Sequence, residues 1–336
     1  MKDTANMVAF AVLGCGRIGR MHARNLTHHP RARLVAVYDI HAASAEACAA
    51  ELGVRAAASV AAVLADPAVE AVLIASSTDT HVELITAAAR AGKAILCEKP
   101  IDLDIARAEA CWAAIGPLNP TVMIGFNRRF DPSFRAIRQR IAAGEIGAVE
   151  QVIITSRDPG PPPDAYIRAS GGLFRDMTIH DFDMARFLVG DIVEVHAFGA
   201  NLIEPTIAAA GDLDAAMVTL RAVSGALVHI NNSRRASYGY DQRVEAFGSL
   251  GMLQAANRRA TTVEAWTAIA TGARDPVLNF FIERYQEAYA AEIDHFVTAI
   301  GEKTTPVASF ADGLAALRLA DAALESARTG RVVRLG

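Results

Sequence analysis

A chain of 336 residues, 52% of them hydrophobic and 21% charged, is long enough for two domains and apolar enough to bury large cores, which excludes a disordered protein. Its formal net charge of −4 argues against nucleic acid as a main partner, because phosphate backbones bind basic surfaces. Cys15, Cys48, Cys97 and Cys111 lack metal-ligand spacing and, with no N-terminal signal pattern, read as reduced cytoplasmic thiols; the longest uncharged run, residues 110–127, is broken by Gly116, Pro117, Asn119 and Pro120 and is no membrane span.

Residues 8–13 form a short apolar run ending at Gly14, the pattern of a buried parallel strand, and residues 18–27 have helical spacing. Strands are predicted at 34–39, 71–75, 94–98 and 122–126, with helices at 44–52 and 82–91. This alternation predicts an α/β domain over residues 1–125, a doubly wound parallel sheet with helices on both faces. From residue 126 to 336 the texture changes. Longer strands with short turns at 149–156, 193–200, 215–221, 225–233 and 243–247 predict an α+β domain with an open, mostly antiparallel sheet. Residues 159–163 form a stiff proline-rich loop, and 283–300 and 312–327 are amphipathic helices.

Gly14-Cys15-Gly16-Arg17-Ile18-Gly19 follows the first strand and opens the first helix. In that setting Gly14 makes the tight turn, Gly16 lets backbone approach a pyrophosphate, and Gly19 lets helix and strand pack, while the helix N-terminus offers free N–H groups to the phosphates. Asp39 ends the second strand 20 residues after Gly19, where a carboxylate accepts from ribose hydroxyls and repels a 2′-phosphate. The pattern therefore favours NAD over NADP, with Arg17 at the pyrophosphate or on the surface.

Ser76-Ser77-Thr78 and Glu98-Lys99-Pro100 follow strands at the edge where open α/β sheets bind ligands. Thr78 or its neighbouring backbone is placed to touch the cofactor, and His81 either contacts it or packs at the start of the next helix. Asp176 and His180 stand four residues apart, so a helix would project both from one face; a carboxylate beside an imidazole makes a proton acceptor near neutral pH. The plainer alternative makes Asp176 a helix cap with His180 packed beneath it. Two other classes use the same residues: a metal enzyme with Asp176, His180, Asp181 and Asp183 as ligands, and a non-catalytic NAD-binding sensor.

Taken in order, the glycine motif, Asp39, Glu98-Lys99-Pro100 and Asp176…His180 resemble the family of glucose–fructose oxidoreductases and inositol dehydrogenases over essentially the whole chain. Gly125-Phe126-Asn127-Arg128-Arg129-Phe130-Asp131, Ser156-Arg157-Asp158-Pro159, residues 171–183 and Tyr238-Gly239-Tyr240-Asp241 resemble its inositol 2-dehydrogenase branch. The resemblance implies an N-terminal Rossmann domain and NAD-dependent oxidation of a ring hydroxyl of a cyclic polyol. The first choice is myo-inositol to 2-keto-myo-inositol, with scyllo-inositol or a pyranose as alternative substrates. It implies Lys99, Asp176 and His180 as catalytic, and polyol contacts from Arg128, Asp158 and Tyr238, the last favoured over Tyr240. It implies NAD held by Gly14, Gly16, Arg17, Ile18, Gly19, Asp39, Ser76, Ser77, Thr78, His81, Glu98 and Lys99, no resident metal, and stacking of two sheets toward a homotetramer. Relatives commonly carry Thr-Pro where this chain has Ser76-Ser77, a departure expected to free the loop beside the nicotinamide ribose.

Overall fold

The computed structural model describes residues 7–336, which form two compact units, one running through Phe130 and taking up Glu287–Leu317, the other comprising Asp131–Gln286 and Arg318–Gly336.

The first unit holds six parallel strands, β1 (Val8–Leu13), β2 (Ala32–Tyr38), β3 (Arg55–Ala56), β4 (Ala71–Ile74), β5 (Ala94–Cys97) and β6 (Val122–Ile124), in the order β3-β2-β1-β4-β5-β6. Both faces of the central strands are buried, which explains their unbroken apolar sequence. Helices Arg17–His28, Ala42–Leu52, His81–Arg90 and Ile105–Ile115 make the crossovers. The register pairs Leu13 with Tyr38 and Ile74, Ile74 with Cys97, and Cys97 with Ile124, so these strands end level. Gly14, Asp39, Ser76, Lys99 and Arg128 therefore all follow strands at one edge of the sheet.

The returning segment Glu287–Leu317 belongs to this same unit. Phe296 packs on Phe10 with ring centroids 6.1 Å apart, Phe310 stacks on Trp112 at 4.9 Å, and Ile124 N–H donates to Ala308 O at 2.8 Å. Amphipathic spacing announces the two C-terminal helices, which the structure places at Gln286–Glu302 and Phe310–Thr329, but it does not say which sheet they join.

In the second unit the strands are β7 (Val149–Arg157), β8 (Ile192–Ala200), β9 (Ala215–Ala222), β10 (Leu227–Ser233), β11 (Asp241–Gly248) and β12 (Gly251–Ala255), the exposed hairpin β13 (Glu264–Trp266) and β14 (Thr271–Arg274), and β15 (Val333–Arg334). Seven of them form a sheet in the order β12-β11-β7-β10-β9-β8-β15, antiparallel except where β7 meets β10. Alternation decides the faces: on β9, Ala216, Val218, Leu220 and Ala222 are buried while Met217, Thr219 and Arg221 are exposed. The outer face also exposes Ile153, Phe198, Leu227, Phe247 and Met252. The inner face holds the helix Ile179–Val189, where Asp181 accepts from Ser156 Oγ at 2.6 Å and Asn232 Nδ2 at 2.8 Å.

One local expectation changes. Residues 176–180 do not lie in a regular α-helix: Phe174–Thr178 is a single π-helical turn leading into Ile179–Val189. Thr178 supplies a reason, since its hydroxyl donates to Asn232 Oδ1 at 2.7 Å and lies 3.3 Å from Leu173 O, drawing the backbone toward β10 and widening the turn.

A Cβ on Gly19 would lie 1.8 Å from Gly14 O, whereas one on Gly16 would meet nothing within 4 Å. Gly19→Ala should therefore lower unfolding free energy by about 1–3 kcal/mol in urea melts, and by more than Gly16→Ala, whose cost is only that of alanine replacing glycine at a helix N-cap, under about 1 kcal/mol. Equal effects of the two substitutions would contradict the packing role of Gly19.

Candidate functional site

In the first unit the glycine loop and Asp39 form one hydrogen-bonded piece. Gly14 takes φ +103° and a Cβ there would lie 2.5 Å from Ala75 O, so only glycine fits. Asp39 Oδ2 accepts from Cys15 N–H at 2.7 Å and Oδ1 from His41 N–H at 2.8 Å. The carboxylate thus braces the loop while its remaining lone pairs stay available to ribose hydroxyls. Arg20 serves the protein, reaching Cys15 O at 3.1 Å; Arg17 is exposed and Ile18 half-buried at the first helical turn. The open space at Gly16, beside the N-terminus of the helix Arg17–His28, and the braced Asp39 fit a dinucleotide.

The Ser76-Ser77 loop is not freed by its missing proline. Ser76 Oγ and Thr80 Oγ1 are 2.7 Å apart, and Thr80 Oγ1 donates to Ser77 O at 2.7 Å, closing the turn Thr78–Thr80. His81 is buried rather than turned toward a ligand: Nδ1 lies 2.8 Å from Pro100 O and Nε2 3.2 Å from Ser76 O, tying together the segments after β4 and β5. Burial pushes its ionisation below the ordinary imidazole value, against the two carbonyls. A neutral ring donates once, and the shorter contact assigns that proton to Nδ1. Glu98 also turns inward, its Oε1 2.8 Å from Nε2 of buried His22. Lys99 is half-buried and is joined to Pro100 by a cis peptide bond. Arg128 is buried in the turn Asn127–Phe130; its neighbour Arg129 is structural, bound to Val307 O at 2.5 Å and Asp312 at 3.1 Å.

In the second unit Asp176 and His180 are both half-buried on and just after the π turn. Asp176 does not cap the following helix, whose N-cap is Thr178. Its Oδ1 accepts from Tyr166 Oη at 2.8 Å and its Oδ2 from Arg234 Nη1 at 3.1 Å. Desolvation of the Tyr166 hydroxyl, then the Asp176 charge beside it, push the phenol's ionisation up and keep it a donor. Arg234 is 1% exposed and its Nη2 lies 3.8 Å from Asp212, which accepts from Leu173 N–H at 2.8 Å. Asp212 thereby holds the start of the π turn and Arg234 its middle residue. Neither they nor Tyr166 were marked by the sequence; an arginine two residues past a buried Asn at a strand end carries no motif.

Asp158 follows β7, its N–H donating to Ser233 O at 2.9 Å. The Tyr238 hydroxyl accepts from Arg157 at 2.9 Å and donates to Asp241 at 2.5 Å. Asp241 is fully buried; burial opposes its ionisation, but hydrogen bonds from Arg243, Tyr238 and Asn257 prevail and hold its carboxyl below the usual range. Asp181, one of the alternative metal ligands, is spent on Ser156 and Asn232.

Two family models match the chain: the NAD-binding Rossmann fold of an oxidoreductase family over residues 8–126, and the GFO/IDH/MocA C-terminal domain over residues 134–254. The chain is 51% identical to an inositol 2-dehydrogenase of Rhizobium meliloti, across 98% of its own length and 99% of that protein's. It is similar to the crystal structure of a myo-inositol dehydrogenase from Corynebacterium glutamicum, with a TM-score of 0.96, 51% identity and coverage of 98% and 99% of the two chains. It is also similar to a scyllo-inositol dehydrogenase from Lactobacillus casei, solved with NAD(H) and scyllo-inositol, with a TM-score of 0.89, 30% identity and coverage of 98% and 99%.

Arg234→Met removes the cation between two largely buried carboxylates, so it should cost about 3–5 kcal/mol in urea unfolding, far more than an exposed ion pair. A cost within 1 kcal/mol, as for an exposed pair, would show that Arg234 does not anchor the turn.

Proposed function

The chain belongs to the GFO/IDH/MocA oxidoreductase family, and from that premise we propose that it is an NAD-dependent dehydrogenase of cyclic polyols, taking myo-inositol to 2-keto-myo-inositol. The observation that carries this reading is the 51% identity to an inositol 2-dehydrogenase across nearly the whole of both chains. In this reading the parallel-sheet unit serves the cofactor and also supplies Lys99 and Arg128, while the antiparallel-sheet unit supplies Asp158, Asp176, His180 and Tyr238.

Gly14, Gly16, Arg17, Ile18 and Gly19 would form the loop that holds the pyrophosphate, Asp39 would accept from the adenosine ribose, and Ser76, Ser77 and Thr78 would face the nicotinamide side. When bound, NAD supplies the hydride acceptor. His180 takes the hydroxyl proton, its ring oriented by the turn that Asp176 shares. Lys99, as an ammonium, stabilises the oxygen as negative charge develops on it. Asp176, bound by Arg234, supplies an acceptor to the substrate or to His180. Arg128 offers a planar set of donors to adjacent hydroxyls, Asp158 accepts from others, and Tyr238 contributes from the end of the Arg157–Asp241 network. A ring of hydroxyls presents little apolar surface, and such a site rejects an analogue that leaves one buried polar group unpaired.

The sheet's outer face, with Phe198, Met217, Phe247 and Met252 exposed, supports pairing of copies through stacked sheets and a homotetramer. The cysteines are free and buried, which supports a reducing cytoplasmic setting. Among the described residues no helix is long and apolar enough to cross a membrane.

NADH formation with a panel of inositols and aldoses tests the substrate. Turnover of scyllo-inositol alone selects the alternative favoured by the Lactobacillus casei structure, and turnover of an aldose alone rejects inositol. NAD should be preferred over NADP, with Asp39→Ala narrowing the gap; equal wild-type use of both would remove Asp39 from the ribose. His180→Ala should lower turnover roughly 10²–10⁴-fold while NAD still quenches protein fluorescence. Turnover within a few-fold of wild type would take His180 out of the chemistry.

A further inference from the structure

Glu292, on the helix Gln286–Glu302, has no exposed surface, and neither carboxylate oxygen has a hydrogen-bond partner. A lone ionised carboxylate is unstable in such surroundings. The charged group acting on it is Glu98, at the end of β5, and Glu98 is in turn 2.8 Å from Nε2 of His22 on the helix Arg17–His28. The His22 ring is buried, stands edge-on to Tyr289 with centroids 5.4 Å apart, and has no partner for Nδ1. Tyr289 lies three residues before Glu292 on the same helix, so the side chains of these two fall on one face, the face that meets His22.

Two carboxylates and one imidazole sharing a buried site cannot all be charged at little cost. Burial, with the Glu98 charge adding to it, holds the Glu292 carboxyl protonated well above the ordinary carboxylate range. A protonated carboxyl is a donor and neutral Nδ1 is an acceptor. A proton offered to Nδ1, through a small side-chain shift or one internal water, leaves the ring's own proton on Nε2, facing Glu98.

We propose that Glu292, His22 and Glu98 act as one buried unit that carries a single negative charge and presents it on Glu98, and that Glu292 is thereby a positioning residue for Lys99. Glu98 immediately precedes Lys99, and its other oxygen lies over Gly125, where a Cβ would come within 2.9 Å of it. Gly125 stands three residues before Arg128. A fixed anion at this point of the sheet edge anchors the strand ends from which both cations project. The role rests on the reading of Lys99 as catalytic, whereas the shared proton does not.

Infrared difference spectra of wild type against Glu292→Gln, near pH 7, should show a protonated-carboxyl carbonyl band that the variant lacks; no such band overturns the shared proton. A group protonated in the folded chain and ionised in the unfolded one stabilises in acid and loses that contribution as pH rises. Glu292→Gln should therefore raise Tm relative to wild type by an amount that grows from about pH 5 to about pH 8, and a pH-independent difference overturns the assignment. These two readouts need no turnover, so they separate failure of this cluster from failure of the inositol reading. In turnover with NAD and the polyol oxidised by wild type, His22→Phe and Glu292→Leu should each lower kcat roughly 10- to 100-fold while the Kd for NAD stays within about twofold. Glu292→Gln, which keeps a neutral donor, should restore most of kcat. Wild-type kcat in both disruptive variants overturns the positioning role.

Discussion

Parallel pairing constrains everything in the first unit. Each strand must be followed by a return crossover, so the carboxyl ends of β1, β2, β4, β5 and β6 come to the same edge. The register makes that edge level, from Tyr38 through Leu13, Ile74 and Cys97 to Ile124. Residues far apart in sequence, such as Leu13 and Ile74, thereby become neighbours along one line of strand ends. The glycine loop, Asp39, Lys99 and the buried Arg128 need no further device to be gathered. What remains is to hold each loop still, and the chain does this with side chains aimed at backbone: Asp39 on Cys15 and His41, His81 between Ser76 and Pro100, Thr80 on Ser77.

The second unit solves the same problem differently. Its antiparallel strands bring no common edge of carboxyl ends, and Asp176 and His180 sit on a π turn and at the start of the helix it leads into, laid against the sheet. Position is set by buried polar contacts instead: Ser156 and Asn232 on Asp181, Asn232 on Thr178, Arg234 on Asp176, Asp212 on Leu173. Each such contact has a direction, which apolar packing lacks, and together they fix both the rotation of the helix and the width of its first turn. The π turn is the local result, and it lies where Asp176 must face Tyr166 and Arg234 at once.

The legible part of this protein was whatever repeats a period or a spacing. Buried runs such as 71–75 and the alternation on β9 revealed strands because burial on two faces or one writes itself into residue order. The glycine motif and Asp39 were legible because strand–turn–helix geometry fixes their separation. Two-residue β3 and β15, and the exposed hairpin β13–β14, left no trace, being too short or too little buried for a pattern. Nor did sequence reveal that residues 287–317 return to the first unit, since an amphipathic helix carries no address for the core it joins. Arg234, Tyr166, Asp212, His22 and Glu292 were illegible for a related reason: each matters through a partner far away in sequence, and charged residues on helices and strand ends are ordinarily solvated.

Arg234, Asp212, His22 and Glu292 among the hidden residues have a property in common that bears on how the site is maintained. Buried polar atoms lacking partners are rare in folded proteins because each costs stability. Among the described residues several such atoms belong to Arg234 and Asp212, beside Asp176, and to His22 and Glu292, beside the Glu98–Lys99 strand end. An apolar core would be more stable at either place, yet it could set neither the charge of a neighbouring carboxylate nor the tautomer of an imidazole. Such atoms also occur at His180, Gln242 and Arg284, but those beside Asp176 and beside the Glu98–Lys99 strand end give up stability where orientation matters more than binding strength.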